Sequence, residues 1–162
     1  MSKEGTPLSR LSDTIGESFA SEYRGRAAEL HKWVDPLSGE QFWHNPYSYG
    51  NSVGHLVLHL TGNLSYYIGA QIAGSGYTRN RDLEFTESRK PSKAEVLRNF
   101  DETIALVIAT IEKQSESDWS AHYSAERDTT SRNRLELFLR CASHLYHHLG
   151  QIIYLTRALQ QS

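Results

Sequence analysis

Four stretches of this chain place apolar residues at three- and four-residue spacing, and no segment alternates convincingly with a period of two. That pattern confines the fold to packed helices with almost no sheet. The first stretch runs from about Ser12 to Val34, with Ile15, Phe19, Tyr23, Ala27 and Leu30 on one stripe. Asp35-Pro36 ends it, because a residue before proline avoids the helical region. The second runs from about Ser52 to Ala73, with Asn51 or Ser52 as cap and Gly74-Ser75-Gly76 as stop. The third runs from about Ser92 to Lys113, where Ser92 and Glu95 have the spacing of a capping box. The fourth runs from about Ser131 to Leu159. Four amphipathic helices predict an all-α four-helix bundle, and 162 residues suit one domain spanning positions 1–162. Two connections are long. Residues 36–50 are rich in aromatics, with Trp43 and its neighbours expected to cap the core, and residues 74–91 are rich in arginine and acid.

Five of the eight histidines fall into two clusters, His55-x3-His59 on the second predicted helix and His144-x2-His147-His148 on the fourth. Residues four apart on a helix lie one above the other and can share a metal. On a helical wheel His144 and His148 fall at the edge of the apolar stripe, while His147 faces away from it. His59 lies nearer the stripe of its helix than His55. The expected metal ligands are therefore His59, His144 and His148, with His55 in reserve. Two other metal sites are excluded by residue type. A zinc protease needs a glutamate where Leu145 stands. A di-iron bundle needs a glutamate three positions before a histidine, and Leu56, Cys141 and Leu145 stand there instead.

Charge and composition remove further classes. A net charge of −2 without a basic stripe argues against nucleic acid or a membrane surface as partner. No apolar run reaches the roughly 18 residues of a membrane span. Met1–Leu11 is polar and lacks the apolar stretch of a signal peptide. A single cysteine, Cys141, forms no internal disulfide, which suits the cytoplasm.

Three segments resemble the DinB/YfiT-like superfamily of four-helix-bundle metalloproteins. They are Ser52-Val53-Gly54-His55-Leu56-Val57-Leu58-His59-Leu60, then Arg79-Asn80-Arg81-Asp82-Leu83-Glu84-Phe85, and His144-Leu145-Tyr146-His147-His148-Leu149-Gly150-Gln151-Ile152-Ile153. The last is the most specific, and the resemblance is to an uncharacterised branch. It implies a long crossover between the second and third helices, a homodimer, and one divalent metal held by His59, His144 and His148. It also implies transfer of a low-molecular-weight thiol, as in relatives that use bacillithiol or mycothiol.

Three neutral histidines leave one coordination position open, where a metal could acidify water or bind a thiolate. The ligands alone do not choose between thiol transfer and metal-dependent hydrolysis, and a non-enzymatic metal-stabilised interaction module is a third reading. Imidazole sites suit zinc, nickel, copper or iron, with zinc or nickel foremost. Gln151 and Asn63, one turn beyond His148 and His59, are expected mainly as structural hydrogen-bonders, and Tyr66, Tyr67 and Tyr146 as core or interface. Cys141 is a distant candidate as fourth ligand. Arg79, Arg81, Arg89 and Lys90 are expected on a solvated loop, with reception of an anionic thiol as their functional alternative.

Overall fold

The computed structural model describes residues 10–161, and Met1–Leu11, on which the absence of a leader was read, lies almost wholly outside them. Helix α1 spans Leu11–Val34, α2 Gly39–Trp43, α3 Val53–Leu64, α4 Leu83–Thr86, α5 Lys93–Glu112, α6 Glu116–Ser120 and α7 Arg134–Gln161. The four long helices are those expected from the apolar periodicity. Among the described residues no strand forms, only isolated bridges between His122 and Asn133 and between Ala125 and Asp128. No described helix is long and apolar enough to cross a membrane.

Helices α1 and α3 each pack against both α5 and α7, closing a four-membered ring. Its interior is filled by fully buried Tyr23, Phe100, Phe138, Leu137 and Leu145. Tyr23 carries a hydroxyl into that core, and donating it to the Phe138 carbonyl at 2.9 Å removes the penalty of an unpaired polar group. The Ser52 and Ser92 hydroxyls cap α3 and α5 by accepting the His55 and Glu95 amides at 3.2 and 3.1 Å.

The second predicted helix does not run evenly to its stop. After Leu64 it loosens into π-helical turns over Ser65–Ala70, and glycines at φ 67° (Gly74) and 74° (Gly76) then turn the chain into the crossover. The two long connections also contain structure that the periodicity does not announce. Helix α2 delivers Trp43 onto α3, where the indole lies over Gly54 and donates to the Pro91 carbonyl at 3.0 Å. Helix α4, inside the crossover, packs along α3 and brings an acid to the bundle.

Candidate metal centre

Helix α7 presents Arg140, His144 and His148 at four-residue intervals, and α3 crosses it carrying His59. The three imidazoles converge. His144 Nε2 stands 3.0 Å from His59 Nε2 and 3.1 Å from His148 Nε2, and one ligand atom from each ring lies within 4.8 Å of the others. His147 is exposed, as the wheel predicts. His55 does not join: its ring contacts the Ser52 hydroxyl at 2.8 Å and the Glu87 carbonyl at 3.2 Å, and it packs edge-on to Trp43. Cys141 is buried outside the cluster, and burial pushes its thiol up to about 12, so it has no thiolate character near neutrality.

The far nitrogens of the rings decide what the near ones offer. His59 Nδ1 is 2.8 Å from Glu84 Oε2. A carboxylate only accepts, so Nδ1 carries the hydrogen, and the Nε2 of the neutral ring offers a lone pair. His148 Nδ1 faces Gln151 Oε1 at 2.8 Å, and with the amide so oriented the same assignment follows. Two lone pairs therefore point at His144 Nε2, which in a neutral ring has at most one hydrogen to give. The His144 Nδ1 atom is buried without a hydrogen-bond partner. Burial, then the neighbouring His148 and His59, bring His144 down to about 3; burial likewise lowers His148. Neutral rings in this arrangement leave lone pairs facing one another, and a cation at their centre would receive all three. The donor set thus fits a divalent transition ion.

Glu84 is the site residue that histidine spacing does not reveal. It comes from α4, is 6% exposed, and also accepts from Arg79 through Nε at 2.7 Å and Nη2 at 2.9 Å. Burial alone would raise its carboxyl; the hydrogen bonds from His59 and Arg79 outweigh that and hold it below the usual range. Its seat exists because position 62 of α3 is glycine: a Cβ there would stand 2.1 Å from Glu84 Oε1. The signal the sequence offers is a glycine inside an otherwise apolar helical stretch. Arg79, expected on a solvated loop, has a side chain only 3% exposed. The expectation holds for Arg81, exposed over the Phe85 ring, and for Arg89, exposed and paired with Glu87.

Beside the cluster opens a cavity of about 430 Å³, lined by Asn51, Leu56, Asn63, Tyr67, Arg79, Arg81, Phe85, Arg140 and Gln151 together with the three histidines. Arg140 lies over the Tyr67 ring at 4.4 Å and within 3.0 Å of Asp128 Oδ2. The buried Asn63 Oδ1 lacks a partner, which is more than its expected structural role leaves room for. Tyr66 and Tyr67 pack with the core, whereas Tyr146 is exposed beneath the Arg26 guanidinium.

The fold has a solved counterpart. A conserved protein from Enterococcus faecalis superposes with a TM-score of 0.72 over 96% of this chain and 100% of its own, at 13% sequence identity. That likeness is one of fold. No curated protein matches the sequence. The sequence profile of the DinB superfamily matches residues 22–152, a span that holds both halves of the histidine cluster and the crossover between them, and the chain belongs to that superfamily.

Proposed function

We propose that this protein holds one divalent transition ion, zinc or nickel, on His59, His144 and His148, and transfers a low-molecular-weight thiol to an electrophile. One observation carries the reading: three imidazole lone pairs, two oriented by Glu84 and Gln151, meet at the wall of an open cavity of about 430 Å³. A divalent ion bound there would lower the pKa of a coordinated thiol, so that thiolate forms near neutral pH.

The chain's own groups suit that task. The Glu84–Arg79 pair holds the His59 ring and its tautomer, so the ligand geometry is set before anything binds. Arg81 and Arg140 border the cavity and complement the carboxylates that small cellular thiols carry. In the transfer, the sulfur electron pair forms the new S–C bond, the leaving group departs with its own pair, and the thiol proton passes to solvent. The described residues lining the cavity include no carboxylate that could act as general base toward water, which favours thiol transfer over hydrolysis. With His55 engaged by Ser52 and Glu87 and Cys141 buried outside the cluster, neither supplies a fourth protein ligand, which favours an open position over a purely structural ion.

The test is elemental analysis of the purified protein beside His59→Ala, His144→Ala and His148→Ala, with thiol depletion by 1-chloro-2,4-dinitrobenzene followed with and without chelator. We expect metal at about one equivalent in the parent, far less in the variants, and thiol consumption that chelation abolishes. Equal metal in all four proteins removes the site. Metal without turnover of any cellular thiol removes the transferase and leaves the site, and ester turnover without thiol transfers the reading to hydrolysis.

A further inference from the structure

A second concavity of about 540 Å³ abuts the histidine cavity, and the two share Asn51, Leu56 and Gln151 as walls. Its character is different. Tyr47, Tyr49 and Tyr154 form a ladder of rings, with Tyr47 stacked on Tyr49 at 5.6 Å and 14° and on Tyr154 at 6.2 Å and 21°. Tyr49 and Tyr154 are 73% and 68% exposed, an aromatic surface that the bundle core does not use. The ladder is also fixed in place. Asn45 pins the linker at both ends, accepting the Tyr47 amide at 3.0 Å and donating to the Tyr49 carbonyl at 2.9 Å, and Gly50 at φ 77° turns the chain into α3. On the facing helix, Gly150 lines the groove and leaves space: a Cβ there would meet nothing within 4 Å.

We infer that this groove binds the flat aromatic body of the second substrate, with that substrate's polar, reactive end reaching past Gln151 into the histidine cavity. The inference rests on the proposed metal site and names the class of electrophile it serves: a planar aromatic or similarly flat apolar group carrying a metal-seeking or electrophilic head. Three physical features support it. Phenol rings offer π faces on which another ring stacks. The groove is continuous with the open side of the histidine cluster. Gln151 stands at the junction, its carbonyl on His148 Nδ1 and its amide 3.3 Å from His147 Nε2, so an occupant of the groove lies against a side chain that orients a ligand.

Two hydroxamates separate head from body. Acetohydroxamate carries a metal-binding head alone, and benzohydroxamate adds one ring. Calorimetric titration of the zinc-loaded protein is expected to show benzohydroxamate binding about tenfold more tightly, the scale of one favourable ring–ring contact. Gly150→Leu fills the groove from an exposed helical position without touching the ligands, and glycine-to-leucine there favours the helix. In that variant the ring advantage should shrink to within about twofold while acetohydroxamate binds as before. Tyr154→Ala should reduce the advantage partway. Acetohydroxamate binding with no ring advantage in the parent protein overturns the groove and leaves the metal site standing. Failure of the protein to take up zinc overturns the metal site and the groove with it, and failure of both hydroxamates on the zinc-loaded protein overturns the open coordination position and the groove while leaving the metal in place. A dimer that Tyr154→Ala splits into monomers, with both hydroxamates binding alike, assigns this face to a second copy of the chain and overturns the inference.

Discussion

Gly54 and Gly62 lie eight residues apart on one helix, both buried, and they do different work. A Cβ at Gly54 would press to 2.6 Å on the Trp43 ring, itself wedged between α2, α3 and the Pro91 carbonyl. A Cβ at Gly62 would stand 2.1 Å from the end of the Glu84 side chain, which can swing aside. The first glycine admits a rigid indole that closes the core. The second admits a flexible carboxylate that orients a histidine. The same substitution should therefore be read out in stability at one end of α3 and in metal affinity at the other. Cavities, clashes and displaced hydrogen bonds are distinguished by what the neighbour is able to do, not by how close it is.

The largest effect tests the structural end. Trp43→Ala should lower unfolding free energy by about 3–5 kcal/mol, the range for emptying a large aromatic site. Denaturant titration checks this, and a loss under about 1 kcal/mol would show that the indole is surface cladding rather than core. Gly62→Ala should next reduce metal affinity by about 10–100-fold by moving Glu84 off His59. Competition with a chromophoric chelator measures it, and unchanged affinity would disconnect Glu84 from the metal. Gly54→Ala should cost about 1–3 kcal/mol of stability through overpacking, with metal affinity held within about threefold. An equal loss of metal at both glycines would erase the contrast between the two ends of the helix. Gly25 is the smallest case and has the opposite sign. It lies exposed in α1 with open space around its Cβ, so Gly25→Ala should stabilise by about 0.5–1 kcal/mol in thermal unfolding.

The crossover adds a pH test of the same contrast. Hydrogen bonds from the Arg89 side chain and amide depress the Glu87 carboxyl to about 2. A depressed carboxyl contributes stability that is complete above its unfolded value, roughly 4.3, and is lost as pH falls toward its folded value. The melting temperatures of Glu87→Gln and the parent should therefore differ at neutral pH and converge between about pH 4 and pH 2. A constant gap across that window would show that the carboxylate charge is not what holds the segment.

Much of this was legible in the chain. The long helices followed from apolar spacing alone, since burial of one face repeats every three to four residues whatever the neighbour. The wheel separated His144 and His148 from His147, because side-chain direction on a helix is a local property. It also ranked His59 over His55, and the two rings do part company: one meets the cluster, the other is taken up by Ser52 and Glu87. Trp43 caps the core as expected. Arg79 is buried where a solvated loop residue is expected, and the sequence does not mark Glu84 out from its neighbouring acids, because neither sits in a periodic segment that would reveal the direction of its side chain.

By itself, then, the sequence determined the helices, the faces they bury and the histidines that turn inward, all consequences of backbone geometry within a few residues. Only the tertiary structure decided that Glu84 would reach back 25 positions to His59, that Gly62 would make room for it, and that the tyrosines of the α2–α3 linker would line a groove joined to the histidine cavity. Those outcomes depend on where the crossover and linkers settle on the bundle, and that is set by contacts between segments distant along the chain, which no local pattern encodes.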